Sequence, residues 1–561
     1  MSLLDTASLI VTPNGYKEGT LYSVIPSDGS GDMSVTRATT ATRVNSAGLV
    51  ELVPYNLLQY SEQYNNAIWN KGNASITANA ITAPNGTTTA DYFVPNTTLG
   101  IHECGQSVSV INGTYTHSVY AKKGGYKNLL VWFDNHSGGI GINLDNLSIF
   151  RNQNLDSYEI ESLANGWVRI SITATLSVSS QPNLYAYSND ATPSLFFAGD
   201  GTSGIYIWGS QLVEGTLPKD YQKTETRLNI PRLDYSNGTC PSLLVEPQRT
   251  NISLRSEDFN TAPWQQNGAF ITSNSTTAPN GNLTADTFST AQGNLLFQGI
   301  NVSIGQTYTI SCWVKLGTAT NLCLVVNNQI AWNTIGGQSF DSSDGLNTTT
   351  WTRVSYTFTS LSLGVNFHIG GNDEIGLTQS TGTVFIWGAQ LEAGNYSTSY
   401  IPTTSASVTR NADVVSKTGI SSLIGQTEGT MFLDVDFTEV SDYNGWFMKD
   451  VANFDTFAFI QRENTGIIAV GYYGSGALQA RIETAPSQPI GRYKIGFGYK
   501  NNDFVLYING TQIGTDTSGS VSGLMNFLDA HYSSTGSTLQ NAIALWKTRL
   551  TNTQLAQLTT I

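Results

Sequence analysis

The chain has 561 residues, a net charge of −14 and 12% charged residues, against about 25% in an ordinary soluble protein. An acidic, charge-poor chain has little with which to neutralise phosphates, which excludes a nucleic-acid binder. Its 40% hydrophobic and 11% aromatic content excludes a disordered acidic tail. No apolar run reaches the ~20 residues of a membrane helix. The opening MSLLDTASLIVTP shows neither the basic start nor the cleavage site of a signal peptide.

In chain order, residues 1–55 form a polar, weakly patterned lead. It carries Thr36–Arg37 and Thr42–Arg43–Val44–Asn45. Thr-Arg returns at Thr226–Arg227 and Thr409–Arg410, so a similar lead-in precedes each of three modules. An internal repeat follows. NLLQYSEQYNNAIW from Asn56 returns as NISLRSEDFNTAPW from Asn251. TYTHSVYAKKGG returns as TYTISCWVKLGT, GWVRIS as TWTRVS, and IWGSQLVEG as IWGAQLEAG. Four blocks in the same order define two copies of one module, 56–222 and 251–402. Within each copy, apolar alternation between Asn-Gly and Gly-Thr turns predicts short antiparallel strands. The bridge 223–250, which ends in PRLDYSNGTCPSLLVEPQRT, is too apolar for a flexible linker and is expected to pack between domains, the alternative being an exposed tether.

Residues 403–561 leave the repeat. GTMFLDVDF, TFAFIQR, IIAVGYY and RYKIGFGY read as strands. Tyr493, Ile495, Phe497 and Tyr499 share one face, and Asn509–Gly510 is a hairpin turn. The end reads as a strand and one short helix, capped by Thr551 or Thr553 and anchored by Leu555 and Leu558. The expected fold is all-β: tandem antiparallel sandwiches of jelly-roll type, followed by a third, unrelated sandwich.

Candidate chemistry is sparse. Cys104, Cys240, Cys312 and Cys323 show no metal spacing. A Cys312–Cys323 bridge across a hairpin is conceivable, but the repeat puts Val119 and Leu130 at those positions, so both are read as small core residues. Asp434–Val435–Asp436–Phe437–Thr438–Glu439 approaches the two-carboxylate strand of a glucanase. Its first position is Asp where Glu is needed, and Glu439 has the wrong strand parity, so no catalytic residue is assigned. Trp208 and Trp387 recur in the repeat and are read as core. Trp332, Tyr472 and Tyr473 have no repeated partner, and are the candidate ligand-binding residues of a sugar platform. Asp341–Ser342–Ser343–Asp344–Gly345 is oxygen-rich enough for a structural calcium, though a plain turn is the simpler reading. No other metal or cofactor is expected.

The phrases NLLQYSEQYNNAIW, TAPNGTTTAD, GWVRIS and IWGAQLEAGNYSTSYIPT, with TRATTATRVNSAGLVE and YSNGTCPSLLVEPQRTN, resemble tandem modules of tailed-bacteriophage virion proteins over almost the whole chain. FVLYINGTQIG and IALWKTRLTNTQLAQL make the last part similar to laminin-G-like or concanavalin-A-like sandwiches. The resemblance implies carbohydrate-binding jelly rolls on a head fibre, capsid decoration or tail fibre. It also implies a homotrimer on the virion surface, made in the host cytoplasm. Residues 1–55 would attach to capsid or tail proteins, and the outer sandwiches would adhere to host or mucosal glycans, with no membrane insertion. The alternatives are a capsular depolymerase or glucanase built on the Asp434–Glu439 strand, and a spacer without a ligand.

Overall fold

Strands of four to twelve residues that alternate apolar and polar side chains can bury one face only by pairing into sheets and stacking them. The computed structural model describes residues 3–110, 113–176, 181–370, 376–439, 443–452, 454–532 and 535–561. The fold is all-β, and among the described residues the one α-helix is Asn552–Thr559. The chain forms two compact units, residues 54–228 and residues 1–53 with 229–561.

The first unit is a sandwich of two six-stranded antiparallel sheets. One runs, in spatial order, Ile149–Gln153, Gly138–Asn143, Asn128–Phe133, Pro182–Tyr187, His102–Gly105 and Asn70–Gly72. The other is centred on Gly113–Lys123, Val168–Leu176 and Ile205–Glu214. Leu129, Val131 and Phe133 of the first sheet meet Val119, Ile170 and Ile172 of the second in the core. Asn56 closes the unit from inside. Its amide donates to the carbonyls of Ser210 (3.2 Å) and Gln222 (3.0 Å) and accepts from the amides of Leu58 and Leu212.

The second copy repeats this wiring in the other unit. Asn251 donates to Ala389 and Ile401 and accepts from Ser253 and Leu391. Its two five-stranded sheets are centred on Leu322–Asn328 and on Thr307–Leu316 with Gly382–Ala393. Cys312 lies in its core, and all four cysteines are free thiols.

The sequence reading separates residues 1–55 from residues 403–561; the fold joins them. Leu9–Lys17 pairs with Thr538–Trp546, with Leu9 opposite Leu545. Met33–Thr36 pairs with Val414–Thr418. Leu9, Val11, Leu21, Met33 and Val35 fill one core with Met431, Leu433, Ile495 and Phe497. Through Thr36 the lead is therefore part of the third sandwich, while Ala41–Val44 and Val50–Val53 pair with each other and residues 54–55 belong to the first unit. The bridge divides as well. Its residues to Leu228 belong to the first unit, while Ser242–Val245 adds a further strand against Thr538–Trp546. These strands hide edges that the third sandwich would otherwise expose.

A buried ion network ties these pieces together. Arg37 donates to Asp413 at 2.6 Å. Arg232 contacts both Asp413 and Glu246, the latter at 2.7 Å. Arg410 reaches Glu246 at 2.6 Å. All five side chains are 3% exposed or less. Burial alone would raise the Glu246 carboxyl, but Arg410 and Arg232 outweigh it and hold it below the ordinary carboxylate range. Asp413 is held down in the same way by Arg232 and Arg37. Arg232, between both acids, keeps its proton more firmly than an ordinary arginine, because Asp413 and Glu246 overcome the effect of burial.

Removing one partner from such a cluster leaves a buried charge unpaired, which costs about 3–5 kcal/mol. Glu246→Gln is expected to lower stability by that order, read as a shifted urea midpoint. Because both folded carboxyl values are depressed, the network's contribution is complete above the ordinary glutamate value of 4.5. It is lost as pH falls through the lower folded values. Acid titration of the wild type should show that loss, and Glu246→Gln should show less of it.

Candidate functional site

Strand alternation decides what the first unit shows to the outside. In Asn128–Phe133 the residues at 129, 131 and 133 face the core, so Asn128, Leu130 and Trp132 face outward. In Pro182–Tyr187 the outward residues are Asn183, Tyr185 and Tyr187. Register sets Trp132 beside Asn183 and Leu130 beside Tyr185. Glu103 lies opposite Tyr185 on the next strand.

Large rings lie flat on this face because the neighbouring strand offers glycine. A side chain at Gly139 would start 2.7 Å from the Trp132 ring, and one at Gly141 would start 2.4 Å from Phe150. The result is an aromatic cluster of Trp132, Tyr187, Phe150 and Tyr185. Phe150 and Tyr187 are 5.1 Å apart. The Arg151 guanidinium covers the Trp132 ring at 4.3 Å and donates to the Tyr187 hydroxyl at 3.2 Å. Beside the rings is a polar row. The Asn183 amide donates to Asp134 (2.9 Å) and Glu103 (3.2 Å), and the Tyr185 hydroxyl donates to Asp134. Burial first, and then the Asp134 carboxylate, raise the Tyr185 phenol above its ordinary value, so it stays a donor. Asn183, Tyr187 and Trp132 are buried in this face, while Phe150, Tyr185, Glu103, Asp134 and Arg151 are part-exposed.

The sequence candidates divide. Trp332 is 43% exposed and lies on the matching outward face of the second sandwich, 5.2 Å from Phe297 and 5.9 Å from His368. Tyr473 lies on the outward face of the third sandwich, stacked on Phe457 at 4.4 Å and 14°. There it joins Phe447, Phe459 and Tyr532, with the Lys449–Asp529 pair among them. Tyr472 is a correction. Strand alternation turns it inward, it is 0% exposed, and its hydroxyl donates to the Ser522 carbonyl, so it is a core residue.

The sequence reading missed Trp132, Phe150, Tyr185 and Tyr187. NLLVWF looks apolar on both faces. A signal was Gly141 on the adjoining strand, where a side chain would meet the Phe150 ring, beside Gly139, where it would meet the Val131 carbonyl and Trp132.

Trp208 and Trp387 are core, each bonding a threonine hydroxyl through its indole N–H. On the Asp434–Glu439 strand, Asp434 receives both Arg492 nitrogens at 2.9 Å and Asn541 at 3.1 Å. Asn541 also bonds Asp436. Glu439 lies past the strand end at Phe437. Burial raises its carboxyl to about 7, partly offset by Arg353. It lines a cavity of about 200 Å³ with Arg353, Trp313, Tyr400 and Asp234. In the Asp341–Gly345 segment, Asp341 accepts from the Ser343 amide and Asp344 from the Asp341 amide. Both carboxylates are used in capping a 3-10 turn. Among the described residues no group of three or more His, Cys, Asp or Glu could hold a metal ion.

No family model matches the chain, and no curated protein does. Solved structures similar to it include the tandem CBM22 domains of Paenibacillus barcinonensis Xyn10C. These are 13% identical over 60% of this chain and 97% of that one, with a TM-score of 0.22. The CBM40 of a Ruminococcus gnavus IT-sialidase is 14% identical over 24% and 84%, with a TM-score of 0.21. The Caenorhabditis elegans galectin LEC-6 is 13% identical over 22% and 85%, with a TM-score of 0.18.

The glycine argument has a direct check. Gly141→Val should push the Phe150 ring off the sheet and cost about 1–3 kcal/mol as an overpacked site does. Tyr472→Phe should cost about 0.5–1.5 kcal/mol for one buried hydrogen bond. Both are read from denaturation midpoints, and an unchanged Gly141→Val midpoint contradicts the ring placement.

Proposed function

We propose that the chain is a non-enzymatic structural protein of a tailed-phage virion, a head fibre, capsid decoration or tail fibre, whose sandwiches bind host or mucosal glycans. The observation that carries the glycan reading is the outward face of the first unit. A sugar's C–H face stacks on rings, and its hydroxyls need paired acceptors and donors. Phe150 and Tyr185 supply part-exposed rings, packed over buried Tyr187, with Asp134 and Glu103 the acceptors and Arg151 the donor. The virion placement is supported by the resemblance of the repeated phrases. Attachment to capsid or tail proteins and trimeric assembly belong to the same proposal. Attachment through residues 1–55 must use their exposed surfaces, because the strands through Thr36 are part of the third sandwich.

The test is a glycan array probed with the full chain and with Asp134→Ala and Tyr187→Ala. Wild type should retain a subset of glycans, and each variant should bind them at least tenfold more weakly. An array on which no glycan is retained contradicts the reading. Variants that bind like wild type contradict the site.

A second reading, a glycan-cleaving enzyme, is favoured by one observation. Glu439 lies in a cavity with its carboxyl raised to about 7, as a general acid requires. A reducing-sugar assay on host capsular polysaccharide separates the two. The proposal expects no release, and release that disappears in Glu439→Gln would replace it with the enzyme reading.

A further inference from the structure

The second sandwich carries the counterpart of the first unit's outward face, with one difference in its polar atoms. In the first unit, Asn183 is engaged by Glu103, Asp134 and Tyr185. In the second, register puts His368 at the corresponding place, opposite Val325 and Phe297. Asn366 lies one outward position along the same strand, opposite Asn327. Both ring nitrogens of His368, the Asn366 amide nitrogen and the Asn327 amide oxygen are buried without a hydrogen-bond partner among the described residues. Four such atoms on one face are unusual, because a buried polar group without a partner opposes folding.

A turn covers His368. Trp332 covers His368 and, with it, packs on Phe297, whose ring stacks on the imidazole at 5.2 Å and 28°. Trp332 has φ +60, a left-handed backbone that bulky residues rarely adopt. The turn is held by Asn328, whose side chain accepts from Ile330 and Ala331 and whose carbonyl accepts from Trp332. Ile330 at its tip is 92% exposed. The cover therefore hangs on one short turn and rests on polar atoms that it cannot satisfy.

The unpartnered atoms define what would satisfy them. Burial lowers the His368 pKa to about 4, so the imidazole is neutral, with one donor and one acceptor. Asn366 adds a donor and Asn327 an acceptor. The strand positions around them, Leu295, Phe297, Gly299, Cys323 and Val325, carry no charge. An alternating donor–acceptor set without charge matches adjacent hydroxyls, each of which donates and accepts. Phe297 and a displaced Trp332 offer rings to the C–H face. A carboxylated or cationic ligand would lose its own solvation there with no opposite charge to meet.

We propose that Trp332 is a movable cover over a second glycan site, in which His368, Asn366 and Asn327 take adjacent hydroxyls of an uncharged sugar. The inference rests on reading the sandwiches as glycan-binding, but uses different residues from the first unit's face. The test uses the full chain, neutral gluco-, manno- and galacto-oligosaccharides, and uronate and sialylated ones as acidic probes. The variants are His368→Phe, Trp332→Ala and, in the first unit, Tyr187→Ala. At least one neutral oligosaccharide should bind with a shift in tryptophan emission. That binding should weaken tenfold or more in His368→Phe and Trp332→Ala, while Tyr187→Ala reads the first unit's face in the same assay. His368→Phe keeps the ring stack and removes two unpartnered nitrogens, so its thermal midpoint should not fall.

Neutral binding that persists in both second-sandwich variants overturns the inference. So does the binding of acidic probes alone. If only Tyr187→Ala loses binding, this site fails and the first unit's face stands. If only the second-sandwich variants lose binding, this site stands and the first face fails.

Discussion

The third sandwich depends on a buried cluster of opposite charges. Arg37, Arg232, Arg410, Glu246 and Asp413 come from the lead, the bridge and the start of the last region, which are far apart in sequence. Buried charges are stable only when every partner is present. Each of these segments must therefore be in place before the others are stable. The pairing of Leu9–Lys17 with Thr538–Trp546 and of Ser242–Val245 with the same strand follows the same demand. Three cations and two acids do not balance within the five. Arg37 and Arg410, with fewer acid contacts than Arg232, hold their protons less firmly, chiefly because burial disfavours the charge. The cluster adds a pin between segments to the register that the buried strand faces already specify.

Much of the fold was legible because it is local. Alternation in TYTISCWVK and RYKIGFGY predicted strands, Asn509–Gly510 the hairpin, and Thr551 or Thr553 the cap, of which Thr551 accepts from the Gln554 amide. The repeat was legible because Asn56 and Asn251 do the same internal bonding. What was not legible is non-local. Leu9, Val11 and Val35 are too few per strand to declare a core, and nothing near them in sequence names Thr538–Trp546 as their neighbour. The Thr-Arg recurrence was visible, but not that Arg37 and Arg410 would enter one ion cluster.

The candidate site was harder to read for a related reason. A ring on an outward face and a ring in a core have the same sequence appearance when the strand is apolar on both sides. Lack of a repeated partner picked out Trp332 and Tyr473, which face outward, and Tyr472, which strand alternation turns into the core. Glycine on the adjacent strand is a second signal, since a side chain at Gly141 would meet the Phe150 ring. The two copies also show how one scaffold diverges. The first face carries carboxylates and a guanidinium, while the second carries an imidazole and amides under Trp332. The same register thus carries charged side chains in one copy and uncharged ones in the other.

The central claim is that the first unit's outward face binds sugar. Hydroxyl-radical footprinting of the full chain, with and without a retained glycan, tests it at the level of single side chains. The account predicts protection of the part-exposed Phe150 and Tyr185 on binding, with buried Tyr472 and Trp208 unchanged. A bound glycan that leaves those two rings as reactive as before would contradict it.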